Sequence, residues 1–237
     1  MTIRRSFSNK IRFVLDECIP PVVRDTRWFM YPIFYIFFRG HIPVGYMDFK
    51  TLSLTMSDEE IAKYYADIGY YGKGRVTDTS EKNIEYIFKT LAGVGLSKSA
   101  LLDVGCGGGD FLRRAEEQGY SVTGCDIMEA TGQEGFAYKK CQAEKLAFPD
   151  QSFAVVTCLH TLEHVRDIQA AAAELKRVAQ KLVVVVVPCQ RYYRYTVDLH
   201  LHFFPSAASL INLMGLKEYS CINIDGDLVY VGRIASE

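Results

Sequence analysis

Excess charge of either sign is missing from this 237-residue chain: 27 Lys and Arg stand against 28 Asp and Glu, a net −1. Nucleic-acid binding draws on clustered cations that displace counterions, so no nucleic-acid partner is expected. Long apolar runs are also absent. The longest early one, Trp28–Phe38, has eleven residues, too few to span a bilayer. The opening MTIRRSFSNKIRF lacks the continuous apolar core of a secretory signal. Cysteine pairing signals are missing too. Cys18, Cys106, Cys125, Cys141, Cys158, Cys189 and Cys221 are odd in number and make no C-x-x-C pair. That argues against a disulfide framework and a zinc site, and for a reducing, cytoplasmic setting. Internal repeats and low-complexity linkers do not occur. What remains, 49% hydrophobic and 23% charged residues, is the make-up of a globular protein and too apolar for disorder.

A change of texture near residue 97 divides the chain into an N-terminal extension, 1–96, and an α/β domain, 97–237. The extension is rich in aromatic clusters and turn residues. Beyond it, short apolar runs alternate with amphipathic stretches, the pattern of βαβ units on a parallel sheet. Strands are predicted at Ala100–Val104, Ser121–Cys125, Phe136–Cys141, Phe153–Cys158 and Leu182–Val187, with helices at Phe111–Gln118 and Ile168–Ala179. The five consecutive valines at 183–187 suit a central strand covered on both faces. A helix at Ala207–Met214 stops at Gly215. Two further strands, Lys217–Ile224 and Asp227–Ile234, flank Asp225-Gly226, a tight-hairpin signal. The expected fold is a doubly wound, mostly parallel, seven-stranded sheet ending in an antiparallel hairpin, behind an aromatic and helical extension.

The chemistry starts at LLDVGCGGGDFLRR, Leu101–Arg114. A strand turning sharply into a helix leaves backbone N–H groups unsatisfied at the helix N-terminus, and glycines there let a ligand approach the backbone. The next strand ends in Asp126, placed to accept both ribose hydroxyls of a nucleoside-containing cofactor. The dinucleotide fingerprint G-x-G-x-x-G fails, because its last position falls on Asp110 or Leu112. A P-loop fails for want of a closing G-K-[ST].

The sequence DVGCGGG is similar to the D-x-G-x-G-x-G signature of class I methyltransferases. Cys141–Val165, CQAEKLAFPDQSFAVVTCLHTLEHV, resembles the region in which many members read D-A-E-x-L-P-F-x-D-x-S-F-D-x-V followed by L-E-H-V. This chain departs from it at Gln142, Ala147 and Ala154. The resemblance, to the type 11-like small-molecule methyltransferases, covers about residues 97–234 and implies S-adenosylmethionine as cofactor. It implies that Gly105, Gly107 and Gly109 pass beneath the methionine part, that Asp103 orders the loop, and that Asp126 takes the ribose hydroxyls. Ala143, with Gln142 or Glu144, would meet the adenine, and His160 would lie near the sulfonium and the acceptor.

Transfer of a methyl group to a hydroxyl needs a proton acceptor, for which His160, His200 and His202 are the candidates. The stretch CQRYYRYTVDLHLHFF, Cys189–Phe204, is dense in polar-tipped aromatics. Arg191, Tyr192, Arg194 and Tyr195 there, with Tyr71 and Arg75 of the extension, are read as acceptor-binding, against a structural packing role for each. Tyr64, Tyr65, Tyr70, Tyr71 and Arg75 would form a lid by analogy. Asp198-x-His200-x-His202 has ligand-like spacing, but no further cluster completes it, so no metal is expected. His164 is read as structural. The function expected is methylation, chiefly at oxygen, of a small-molecule or sugar-containing acceptor. A catalytically inactive cofactor-binding partner subunit and a nucleotide-binding oxidoreductase stand as alternatives. The aromatic run 28–46 is read three ways: core, homodimer contact or peripheral membrane contact.

Overall fold

The computed structural model describes residues 11, 13–57, 59–61, 63–64, 79–128 and 135–235. The chain divides into two compact units, Met1–Arg75 with Arg191–Leu201, and Val76–Gln190 with His202–Glu237.

The first unit is built on helix α1 (Arg27–Phe37). Its Met30 and Phe34, followed by Phe38, lie on one helical face and pack with Tyr46, Met47, Phe49, Tyr195 and Leu199. The helix ends where Gly40, at φ +90°, donates its N–H to the Tyr35 carbonyl at 2.7 Å. That is the glycine stop an αL position requires. The buried Arg24 fastens the excursion 191–201 to the N-terminal segment. Its guanidinium donates to the Tyr192 carbonyl at 2.6 Å and stacks on the Tyr193 ring at 4.1 Å. Tyr46 donates its hydroxyl proton to the Val197 carbonyl at 2.5 Å.

The second unit opens with α2 (Glu81–Gly93), capped by Ser80, whose hydroxyl accepts the Asn83 N–H at 3.2 Å. Then come β1 (Ala100–Val104), α3 (Asp110–Glu117), β2 (Ser121–Asp126), β3 (Ala137–Lys140) and β4 (Phe153–Leu159). The chain continues through α4 (Ile168–Val178), β5 (Ala179–Pro188), α5 (Ala207–Met214), β6 (Glu218–Ile224) and β7 (Asp227–Arg233). The sheet order is β3-β2-β1-β4-β5-β7-β6, parallel from β3 through β5, with β7 antiparallel to both its neighbours. This is the seven-stranded, Rossmann-like arrangement that the alternation of apolar runs implies.

The valine run shows why β5 is central. Val183, Val185 and Val187 enter one core cluster, while Leu182, Val184 and Val186 enter the other, so both faces of the strand are covered. Asp225 and Gly226, both at positive φ (54° and 86°), close the β6–β7 hairpin as a two-residue turn of type I′ character.

Two divisions differ from the textural one. Residues 81–93 belong with the sheet, because Ile84, Ile87 and Leu91 share a buried cluster with Leu101 of β1. Arg191–Leu201 belongs with the N-terminal unit. Among the described residues, no helix is long and apolar enough to cross a membrane.

Candidate active site

In the order β3-β2-β1-β4-β5 the winding reverses between β1 and β4, and ligands of open α/β sheets lie beyond the strand ends at such a switch point. The chain leaving β1 there forms the glycine loop. The Cys125 carbonyl, near the end of β2, accepts the N–H of Gly105 (2.8 Å) and of Cys106 (3.1 Å). One residue on, the Asp126 carboxylate accepts the Gly107 N–H at 2.9 Å on one oxygen and the Met128 N–H at 3.0 Å on the other. A single side chain thus ties the glycine loop to the loop after β2, and each oxygen keeps acceptor capacity for a hydroxyl.

The three glycines do different jobs. At Gly105 a Cβ would lie 2.1 Å from Thr161 Oγ1, and at Gly109 it would lie 2.3 Å from the Phe136 ring. Both glycines are therefore demanded by packing within the protein. At Gly107 and Gly108 no heavy atom of the described residues beyond the chain neighbours lies within 4 Å of that position. Those two residues form a bare backbone floor that a ligand can approach.

Asp103 is buried behind this loop and accepts the Thr157 hydroxyl at 2.6 Å. Burial pushes its carboxyl up to about 7; the Thr157 bond opposes the rise and the Asp126 charge adds to it. A cation arriving beside it would restore the ionised form. On the far side, the loop after β3 is clamped from α4. Arg177 donates to the Leu146 and Phe148 carbonyls (3.0 and 2.9 Å), to Asp150 (2.6 Å) and to Glu174 (2.6 Å). Glu174 accepts the Leu146 N–H at 2.7 Å, and its bond with Arg177 holds its carboxyl below the usual range.

Residues 102–187 match the family model of the methyltransferase domain. Among curated proteins, the ubiquinone biosynthesis O-methyltransferase of Alkalilimnicola ehrlichii is 30% identical over 146 residues, 55% of this chain and 58% of that protein. That of Pseudomonas fluorescens is 42% identical over 86 residues, 31% of this chain and 37% of that protein. The chain therefore spans little more than half of these relatives, or less. Among solved structures, the 1,6-didemethyltoxoflavin-N1-methyltransferase of Burkholderia thailandensis superposes with a TM-score of 0.60 at 16% identity. The match covers 76% of this chain and 92% of that one. Magnesium protoporphyrin IX methyltransferase from Synechocystis gives 0.57 at 15% identity, over 76% and 98%. Residues 102–187 are a methyltransferase domain.

Within the methyltransferase domain, Asp103, Gly105, Gly107, Gly109 and Asp126 meet around one loop. Ala143 is buried and Gln142 opens the clamped turn, its carbonyl accepting the Lys145 N–H at 3.1 Å. Glu144 has a structural partner, accepting the Arg166 N–H at 3.0 Å.

His160, just beyond β4, stands in the left-handed region at φ +52°, a conformation that costs a non-glycine residue ~1–2 kcal/mol. Its ring lies between two buried carboxylates: Nδ1 is 3.4 Å from Glu163 Oε1, and Nε2 is 3.3 Å from Asp227 Oδ2. Nε2 makes no directed hydrogen bond, so the Asp227 contact is charge pairing. Asp227 also accepts from the Asn83 amide at 2.7 Å. Burial alone would lower the His160 pKa, but Asp227 and Glu163 together overcome it and raise it to about 10. That setting favours the imidazolium, a donor, over the neutral ring that a proton acceptor requires.

The other candidates fall in both units. Arg191, Tyr192, Arg194, Tyr195 and His200 lie in the first unit. There Arg191 pairs with Glu17 at 2.8 Å, Tyr195 is core, and the Arg194 N–H donates to Asp25 at 3.1 Å. His202 remains with the methyltransferase domain, its Nε2–H donating to the Val165 carbonyl at 2.9 Å. Tyr71 and Arg75, like Tyr65 and Tyr70 of the proposed lid, fall outside the described residues. Reading the sequence missed Asn83, Glu163, Asp227, Thr161 and Arg177. The usable signal was Asp227, an acid heading the otherwise apolar strand DLVYV.

Proposed function

We propose that the protein transfers a methyl group from S-adenosylmethionine to a hydroxyl oxygen of a small-molecule acceptor. The observation that carries this reading is Asp126, which braces both flanking loops at the switch point beside the open Gly107–Gly108 floor. The residues fit the cofactor. Asp126 would hold the ribose diol, the bare glycine backbone would lie under the methionine part, and Asp103 would face its ammonium. The turn Gln142–Ala143, clamped by Arg177, would border the adenine. When bound, S-adenosylmethionine supplies an electrophilic methyl group on a sulfonium.

The names of the curated relatives favour oxygen as the atom methylated. The geometry bears on the acceptor class. Held between Glu163 and Asp227, His160 serves as a positioning residue: it pairs with both acids and fixes the β4 exit, where Thr161 packs on Gly105. A phenolic acceptor, whose hydroxyl ionises near pH ~10 as tyrosine does, loses its proton with little help from a base. A sugar hydroxyl, a far weaker acid, does not. The seven cysteines, all free, favour a reducing cytoplasmic setting.

The test is transfer of a labelled methyl group to a panel of phenols and sugars, with Asp126→Ala as control. Label on a phenol that disappears in the variant is expected. Label on sugars alone would overturn the phenolic assignment, and no transfer to either, in a protein that binds the cofactor, would overturn the activity.

A further inference from the structure

Helix α1 carries an apolar surface that the methyltransferase reading does not use. From Trp28 to Phe37 it has no charged residue, and a helix apolar on every side is ordinarily buried on every side. Here one stripe, Met30 and Phe34, is buried in the first unit. On the other side Trp28 is 70% exposed, Tyr31 and Tyr35 50% each, and Ile36 77%. Trp28, Tyr31 and Tyr35 stand three and four residues apart, hence on one face, and the two tyrosine rings stack at 6.3 Å.

We propose that this face docks onto an anionic phospholipid bilayer surface. Tryptophan and tyrosine, apolar rings with one polar tip, settle at the headgroup level of a bilayer. The charge around them has the right sign. No Asp or Glu occurs from Thr26 to Met47, whereas Arg27 and Arg39 do. A cavity of about 420 Å³ beside the helix is lined by Arg27, Tyr31, His41, Ile42 and Val44, joining a guanidinium to apolar groups. Arg27 pairs there with Asp48 at 3.0 Å, but both side chains are exposed, and such a pair yields readily to a phosphate. At eleven residues the helix lies along an interface rather than through it. A second copy of the chain fits less well, since a two-fold contact would set one cationic patch against its equivalent.

Trp28 is the single tryptophan, so intrinsic emission reports directly on this face. The full chain is titrated with phosphatidylcholine vesicles, with phosphatidylcholine–phosphatidylglycerol vesicles, and with inorganic phosphate. A blue shift and co-sedimentation with the anionic vesicles alone are expected, with quenching by brominated acyl chains. The triple variant Tyr31→Ser, Tyr35→Ser, Ile36→Ser should weaken vesicle binding about tenfold or more, since three exposed apolar groups leave the contact. Its affinity for S-adenosylhomocysteine should be unchanged, which separates this surface from the cofactor site. Unaltered emission and no co-sedimentation would overturn the proposal. So would a lipid-independent blue shift that grows with protein concentration alongside a dimeric mass, which would give the face to a second copy.

Discussion

Asp126 and His160 show two ways in which one residue governs the site. Asp126 holds two backbone N–H groups and retains capacity for two ribose hydroxyls. Replacing it by alanine should weaken S-adenosylhomocysteine binding by about 3 kcal/mol, roughly a hundredfold, with the circular dichroism spectrum unchanged. Unchanged affinity would misplace the ribose. His160 affects stability through its protonation. Its folded-state pKa, about 10, lies above its unfolded value, so its stabilising contribution is complete below pH ~6.5 and is lost as pH rises through about 10. Denaturant unfolding should therefore show the gap between wild type and His160→Gln narrowing across that window. A gap constant with pH would refute the imidazolium. Asp103 runs in the same direction over a lower range, since a carboxyl raised to about 7 sheds its stabilising proton as pH rises toward that value. An ammonium bound beside it would reverse the rise, so calorimetry near neutral pH, in buffers of different ionisation enthalpy, should detect proton release on S-adenosylhomocysteine binding. Proton uptake would contradict the assignment. Of these residues, Asp103, Asp126 and His160 could be picked out in the sequence, because each ends a recognisable strand. Glu163 lies three residues from His160 in the L-E-H-V run, but Asn83 and Asp227 come from distant segments with no shared local pattern, so the state of His160 could not be read.

At the level of elements, the glycine loop separates packing from binding. A Cβ at Gly105 would meet Thr161 at 2.1 Å, at a backbone φ of +75°. Gly105→Ala should therefore destabilise the domain by several kcal/mol, on the order of an overpacked core with added backbone strain. Thr161→Ala should restore part of that loss in the double variant. Gly107→Ala meets no atom of the described residues, so it should cost only about 1–2 kcal/mol of backbone strain while strongly reducing cofactor affinity. Thermal melts and titrations of the three variants separate these outcomes, and equal loss of stability at both glycines would contradict the division of roles. The strands themselves were legible because apolar runs, β-branched residues and the Asp-Gly turn act locally. The boundaries that moved have local causes too: α4 passes without a loop into β5, whose first residue, Ala179, is already extended.

For the whole molecule, charge and composition bounded the answer, while the division by texture differs from the compact units. Texture placed residues 81–93 in the extension, yet their apolar spacing buries them with β1. The segment Arg191–Leu201 reads as a loop of the α/β domain, but Arg24 and Tyr46 bind it to the N-terminal unit, a pairing across some 150 residues that no periodicity reveals. Its Tyr193 and Tyr195 are buried in that unit, while Tyr192 is exposed. The central claim is that the loop after β1, with Asp126, is built for an adenosyl cofactor bearing an amino acid. Calorimetric titration of the purified protein with S-adenosylhomocysteine, with NAD in parallel, tests it most directly. Saturable one-to-one binding of S-adenosylhomocysteine and none of NAD is the result predicted. Binding of NAD, or of neither compound, would contradict it.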